Sequence, residues 1–534
     1  MEYKEGYVFD APHNAEETNC CIWPPESETF VRCGRAGACQ WFSPELSSRI
    51  MGISGTNGRE TIIPGSPMIL PGEDCQELPI YTEVSAEEML LGAGPASRYD
   101  GLTPLYKRLP HGPHGLGRDA VARHQRARLY GGMAESVYQR GYGATSVAHV
   151  IALAGVSRRA FYEQFSNKED CFLATYDALV GASRKRVLQA WMGERGWANR
   201  LYAATQVFLE GIAGDPRGAN LVLAESIGIG PRGHERLQLT ATAFERVVAT
   251  GFSLTPDGIM LPPLAPRAIV GGVRFVVLRR VREGRHQELA GLTDELLDWV
   301  NSYRSSAVTR LRTLGSGRPP HLLAKRARFL TREDRRSSVM DAMVQLALDQ
   351  GYANITDSEI ARAAAVSTEA FHREFPNKEE CLLAVVNEFA AEAHDAVRRA
   401  TRNDTEWAEG VHKGVEALIG YCAAHPGLVK LTFIDLFDAG NGMVARVSGV
   451  LDGFIKVMTR RVPEPERAPA VAGEAIMGAI WAILSSYAPH DRLRYLPCLV
   501  DHLAFLILAP FVGPRSAVEA IEAASFRRKQ LKVS

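Results

Sequence analysis

The chain has no excess of charge, no paired-cysteine motif and no apolar run long enough to cross a bilayer. Its 61 basic and 61 acidic residues cancel over 534 positions, so a nucleic-acid surface would have to come from an uneven local distribution. Nine cysteines include no C-x-x-C pair, which argues against a zinc ribbon or thioredoxin-type centre and for reduced thiols in a cytoplasmic protein. Cys20, Cys21, Cys33 and Cys39 share one region, yet their spacing fits no common ligand pattern and no histidine pair follows, so no metal site is expected. The most apolar late segment, Cys498 to Val512, is broken by Asp501 and His502 and is too short to span a membrane, so it reads as a buried helix. There is no glycine-rich phosphate loop, no nucleophile elbow and no metal-binding histidine pair, so neither catalytic residues nor a cofactor are expected.

What remains is an ordinary composition, 46% hydrophobic and 23% charged, with room for several domains. Residues 1–108 mix Pro, Gly, Ser and Glu with scattered apolar residues, as in CIWPPESETF, and read as an irregular or disordered leader. Met89 lies shortly before the regular part, so the segment ahead of it is expected to be an over-extended start or a flexible leader. From Leu109 to Arg128 the chain turns basic, and Arg118, Arg123, Arg126 and Arg128 precede or open the first helix of the regular part, a leading stretch suited to phosphate contacts or simply to solvent.

The regular part is organised around 126–176. In SVAHVIALA, residues 146–154, the apolar Val147, Val150, Ile151 and Ala154 recur at helical spacing. Gly155 can close that helix in the left-handed conformation, Val156 can plug the space beyond it, and Ser157 can cap the next helix. In RRAFYEQF, Phe161 and Phe165 anchor an inner face and leave Arg158, Arg159, Tyr162, Glu163 and Gln164 on or near the outer one. Two short helices at a tight turn make a helix-turn-helix, whose second helix can enter a major groove.

GYGATSVAHVIALAGVSRRAFYEQFSNKEDCFLA resembles the DNA-binding domain of the TetR family of bacterial transcriptional regulators. The resemblance is carried by Gly141-Tyr142, Thr145-Ser146, Ala154-Gly155-Val156-Ser157, Phe161-Tyr162 and Phe165-Ser166-Asn167-Lys168-Glu169. Arg159 and Ala160 stand where the family often has Gly and Thr, and Gln164 where it often has His, so the base sequence read is expected to be its own. The resemblance implies that Tyr162 and Lys168 hold phosphates together with Thr145 or Ser146. It leaves Ser157 at the turn, and Arg158, Arg159 and Gln164 as the residues aimed at base edges. It also implies an all-α fold, an operator of double-stranded DNA, and a helical body that holds a small apolar ligand and dimerises.

The plan then repeats at a constant offset of 210 residues. Gly141-Tyr142 matches Gly351-Tyr352, Val156-Ser157 matches Val366-Ser367, Phe161 matches Phe371, and Asn167-Lys168-Glu169 matches Asn377-Lys378-Glu379. The copies differ in chemistry. Thr368, Glu369 and His372 replace Arg158, Arg159 and Tyr162, and Ala365 replaces Gly155. Ten basic against six acidic residues give 118–185 a charge of +4, whereas five against ten give 335–392 a charge of −5. The first copy is therefore expected to read bases, and the second to serve mainly as an attached partner with weaker contacts from Ser367, Thr368, His372 and Lys378.

These readings divide the chain into the leader (1–108), a first helix-turn-helix domain (109–176) and its helical body (177–309). A basic linker (310–334), a second, degenerate helix-turn-helix (335–386), its body (387–514) and a basic tail (515–534) follow. Trp191, Trp197, Tyr202 and Phe208 in the first body, and Tyr421, Phe433, Phe437 and Trp481 in the second, could line a ligand pocket or a plain core. The last helical pairs of the two copies could pack on each other as an intramolecular pseudo-dimer, or two chains could pair. Two functions stay open: a sequence-specific regulator, expected to be a small-molecule-responsive repressor, or a ligand-sensing or interaction protein that has left DNA.

Overall fold

The computed structural model describes residues 118–253, 261–307, 335–402, 406–433, 468–488 and 492–533, with three short strands and a few single positions beside them. The basic residues 109–117, almost all of the 310–334 linker and Phe437 lie outside the described residues. Within the leader, β1 (Cys21–Ile22), β2 (Val31–Cys33) and β3 (Cys39–Trp41) form an antiparallel meander in the order β1-β2-β3. That small sheet is the described structure of its segment, and every described secondary-structure element from residue 118 onward is a helix.

The first copy opens with α1 (Arg118–Ala144), α2 (Val147–Ala154), α3 (Arg158–Tyr162) and the long α4 (Lys168–Gly193). Each start carries the cap its sequence offers, with Ser146, Ser157 and Asn167 accepting from the third backbone N–H beyond them. Arg118 to Arg128 open α1 and do not precede it. Leu129, Met133, Val137, Val150, Phe161, Phe165 and Phe172 close a core at which α1, α2, α3 and α4 meet. The body adds α5 (Trp197–Gly214), α6 (Pro216–Leu223), a 3-10 turn (Glu225–Ile229), α7 (Pro231–Ser253), α8 (Ala265–Arg282), a second 3-10 turn (His286–Leu292) and α9 (Thr293–Asn301).

The second copy repeats this order with α10 (Arg335–Gln350), α11 (Asp357–Ala363), α12 (Thr368–Glu374), α13 (Lys378–Ala400), α14 (Trp407–Ala424) and α15 (Pro426–Phe433). After the undescribed stretch come α16 (Ala472–Tyr487), a 3-10 turn (Arg492–Leu499), α17 (Val500–Val512) and α18 (Pro514–Val533). α9 and α17 are thus each the continuation of a 3-10 segment, where periodicity suggests one continuous helix over 287–303 and over 492–511. The basic tail is helical too, and Ala517, Val518 and Ile521 are fully buried against the second body. The apolar stretch at α17 is buried along 500–510, as a core helix requires. Cys171, Cys381 and Cys422 are free buried thiols, but Cys498 is disulfide-bonded, which corrects the expectation of reduced thiols throughout.

The copies meet at α8 and α16. Gly271, Gly272 and Gly478 lie where these helices cross, and a Cβ on Gly478 would run into Phe275 and the Gly271 carbonyl. Arg280 donates to Glu474 across the crossing at 2.6 Å, and the Tyr303 hydroxyl donates to the Leu506 carbonyl at 3.1 Å.

Candidate functional site

The two-helix head of the first copy presents α3 on its surface. Gly155 takes φ 59° and ψ 39°, the left-handed turn that swings the chain from α2 into α3. Arg128 donates to the Gly155 carbonyl at 2.8 Å and ties that turn to α1. Phe161 is fully buried and Tyr162 stands edge-on to it at 5.3 Å, which fixes the exposed phenol. The Arg158 guanidinium lies over the Tyr162 ring at 5.6 Å and has no ion pair among the described residues. Arg159 pairs with Glu163 at 2.9 Å, but its side chain is 90% exposed, so water and a phosphate can both compete for it. The result is an outward platform of Arg158, Arg159 and Tyr162 on a capped helix.

Other residues marked in the sequence are held inward. Thr145 is 3% exposed, with its hydroxyl bonded to Ser136 at 3.1 Å and donating to the Gly141 carbonyl at 2.8 Å, so it braces the head. Ser146 caps α2 in a reciprocal box with His149. Gln164 lies beyond α3 and donates to the Ala122 carbonyl at 3.0 Å, away from the platform. The Lys168 ammonium donates to the Tyr142 carbonyl at 2.9 Å and sits 4.0 Å from the Tyr142 ring centre, where burial lowers its pKa.

In the second head Ser367 caps α12 as Ser157 caps α3, and Lys378 donates to the Tyr352 and Ile355 carbonyls at 3.3 and 2.9 Å, repeating the Lys168 brace. Thr368 and Glu369 are exposed. Glu369 accepts from its own backbone N–H and from Ser367, which holds its carboxyl below the usual range and keeps it ionised. His372 stands edge-on to Phe371 at 5.2 Å, in the place of Tyr162, with Nδ1 3.1 Å from the Pro376 carbonyl. Compared over matched windows, 125–182 has six basic and five acidic residues, +1, against −5 for 335–392. The charge contrast is therefore narrower than unequal stretches suggest, though its sign persists.

Glu225 was not singled out in the sequence, because a lone acid between two helices carries no pattern. Its carboxylate accepts from the Tyr142 backbone N–H at 2.9 Å and so ties the first body to the head. Arg217 to Glu135 and Arg232 to Glu169, both 2.9 Å, brace the same joint.

A cavity of about 320 Å³ opens within the first body among α4, α5, α7 and α8, lined by Trp191, Phe208, Leu237, Phe244, Val277 and Leu296. Two of the four aromatic residues marked in this body, Trp191 and Phe208, line it. Tyr202 is 40% exposed on the surface, and Trp197 donates to the Gly251 carbonyl and meets Phe252 edge-on. In the second body Phe433 and Trp481 pack on each other at a tilt with ring centres 4.5 Å apart, and Tyr421 donates to Glu392 and packs on Phe389.

The family model for bacterial regulatory proteins of the TetR family matches this chain twice, at 134–175 and 339–385. The chain is a TetR-family protein with two tandem TetR-type units. Both matches fall on the heads just described, α1 to α4 and α10 to α13. The chain is similar to the nucleoid occlusion factor SlmA of Pasteurella multocida (strain Pm70), 25% identical over 135 residues, covering 24% of this chain and 68% of that one. It is likewise similar to SlmA of Haemophilus influenzae (strain PittGG), 23% identical over 137 residues, covering 24% and 63%. Among solved structures it is similar to the fatty acid degradation regulator FadR from Bacillus halodurans, with TM-score 0.32, 21% identity and coverage of 34% and 99%. FadR from Bacillus subtilis in complex with stearoyl-CoA has TM-score 0.31, 18% identity and coverage of 32% and 96%.

Proposed function

We propose that this TetR-family chain is a sequence-specific, DNA-binding transcriptional repressor responsive to a small molecule, which reads base edges through its first TetR-type unit. The observation that carries the reading is the α3 platform, where Arg158 has no counter-carboxylate among the described residues and Tyr162 is held upright by a buried Phe161. A guanidinium in that position can fork onto guanine, and the phenol can donate to a phosphate. The second unit keeps the helix-turn-helix geometry but offers an ionised Glu369 where phosphates would lie, so it adds shape and a few backbone contacts more than base reading. The apolar cavity and the Glu225 tie support ligand response, since a body that changes shape on binding would move the head it holds.

Binding of the full chain to sites selected from random DNA, measured by fluorescence anisotropy across a salt series, tests this. Arg158→Ala with Tyr162→Ala is expected to weaken binding by about tenfold or more, and Glu369→Ala to change it little. Equal losses from the two changes would remove the asymmetry. No selected site at all would favour a sensing protein that no longer reads DNA.

A further inference from the structure

One corner of the first-unit cavity is not apolar. Arg274, on α8, lines the cavity together with Tyr176 and Thr240. Its guanidinium makes a single described hydrogen bond, from Nη2 to the Leu223 carbonyl at 3.1 Å, and its Nε is buried without a partner. No described carboxylate pairs with it. The neighbouring charge is Arg282, of the same sign, and burial brings the Arg274 pKa down to about 10. Asp215 also lines the cavity, but its carboxylate is engaged as the cap of α6, accepting from the Gly218 N–H at 3.0 Å. Thr240 accepts from the Tyr176 hydroxyl at 2.9 Å and keeps its own proton to donate. A half-buried guanidinium with a buried, unpartnered Nε–H and no described counter-ion, at the edge of an apolar cavity, is complementary to an anion attached to an apolar body.

We propose that this cavity takes an amphipathic carboxylate, with its apolar chain among Trp191, Phe208, Phe244 and Val277 and its head on Arg274 and Thr240. This rests on the ligand-responsive part of the function proposed above and not on the DNA-binding part. The guanidinium supplies the Nε–H donor that is now unpartnered, and the carboxylate supplies the missing counter-charge. A neutral ligand of the same shape would fill the apolar part and leave Arg274 unpaired, so charge is the basis of selection.

The test is binding of dodecanoate and of dodecan-1-ol to the full chain without DNA, followed by calorimetry and by the fluorescence of Trp191 against a Trp191→Phe control. Dodecanoate is expected to bind about tenfold more tightly than the alcohol. Arg274→Met is expected to abolish that preference while the alcohol still binds, and Arg274→Lys to keep part of it because the charge remains. Should the Met variant not fold, the Lys variant and the two-ligand comparison on the unaltered chain still decide. Equal or tighter binding of the alcohol to the unaltered chain overturns the proposal, as does a preference that survives Arg274→Met, or no binding of either ligand. None of these outcomes bears on DNA binding, which is measured separately.

Discussion

The turn between the two short helices shows what one residue contributes. Gly155 and its counterpart Ala365 take nearly the same left-handed backbone, φ 59° and φ 55°, although only glycine adopts it without a Cβ clash. Ala365→Gly is therefore expected to stabilise the second head by about 1 kcal/mol, and Gly155→Ala to destabilise the first by a similar amount. Hydrogen exchange of the amides in α11 and α12, or in α2 and α3, measures each change locally. A null result at Ala365 would mean that the fold around it already absorbs the strain. The need for a positive φ was legible in the sequence, because glycine in an A-G-V-S turn has a mechanism. The direction of a side chain was not. Thr145 and Ser146 look equally suited to phosphate, yet one hydroxyl is enclosed by Ser136 and Gly141 and the other caps a helix. Thr145→Val is accordingly expected to cost about 1–3 kcal/mol of stability, read as a lower urea midpoint, with DNA affinity of the folded protein unchanged.

At the scale of the helix, position was legible and depth was not. Apolar periodicity located α2, and Gly155 marked its end, but in the bodies spacing alone could not say that Tyr202 faces water while Phe208 faces a cavity. The repeat places Cys171 on α4 and Cys381 on α13 at equivalent buried sites, where desolvation pushes both thiols up to about 12. Burial raises Tyr142 and Tyr176 to about 12 as well. In the unfolded chain thiols ionise near pH 9 and phenols near 10, so between those values and about 12 the folded state holds more protons than the unfolded one. Stability therefore falls with rising pH across that window and is fully present below it. Urea midpoints should be level between about pH 7 and 9 and decline at pH 10 and 11. A rising midpoint in that range would show these groups to be ionised in the fold.

For the whole molecule, the decisive structure is the crossing of α8 and α16, which joins the two units through glycines, the Arg280–Glu474 pair and the Tyr303–Leu506 hydrogen bond. The repeat announced that two such units exist. It could not show that they pack on each other, because the same apolar faces would suit a second chain equally well. With α8 and α16 covering one another inside one chain, the surface a homodimer would use is already filled. The protein is expected to sediment near 58.5 kDa and to occupy an operator as a single chain, with unlike half-sites because the two heads carry unlike residues. Gly478→Leu places side-chain volume where Phe275 and the Gly271 backbone already lie, at a cost of about 1–3 kcal/mol. Each head keeps its own core of phenylalanines in that variant, so helical content should be retained while affinity for a full operator falls toward that of a lone first half-site. Sedimentation and anisotropy on full and half operators separate the outcomes. Two chains per operator, or a Gly478→Leu variant with full affinity, would show that the crossing does not set the spacing of the heads.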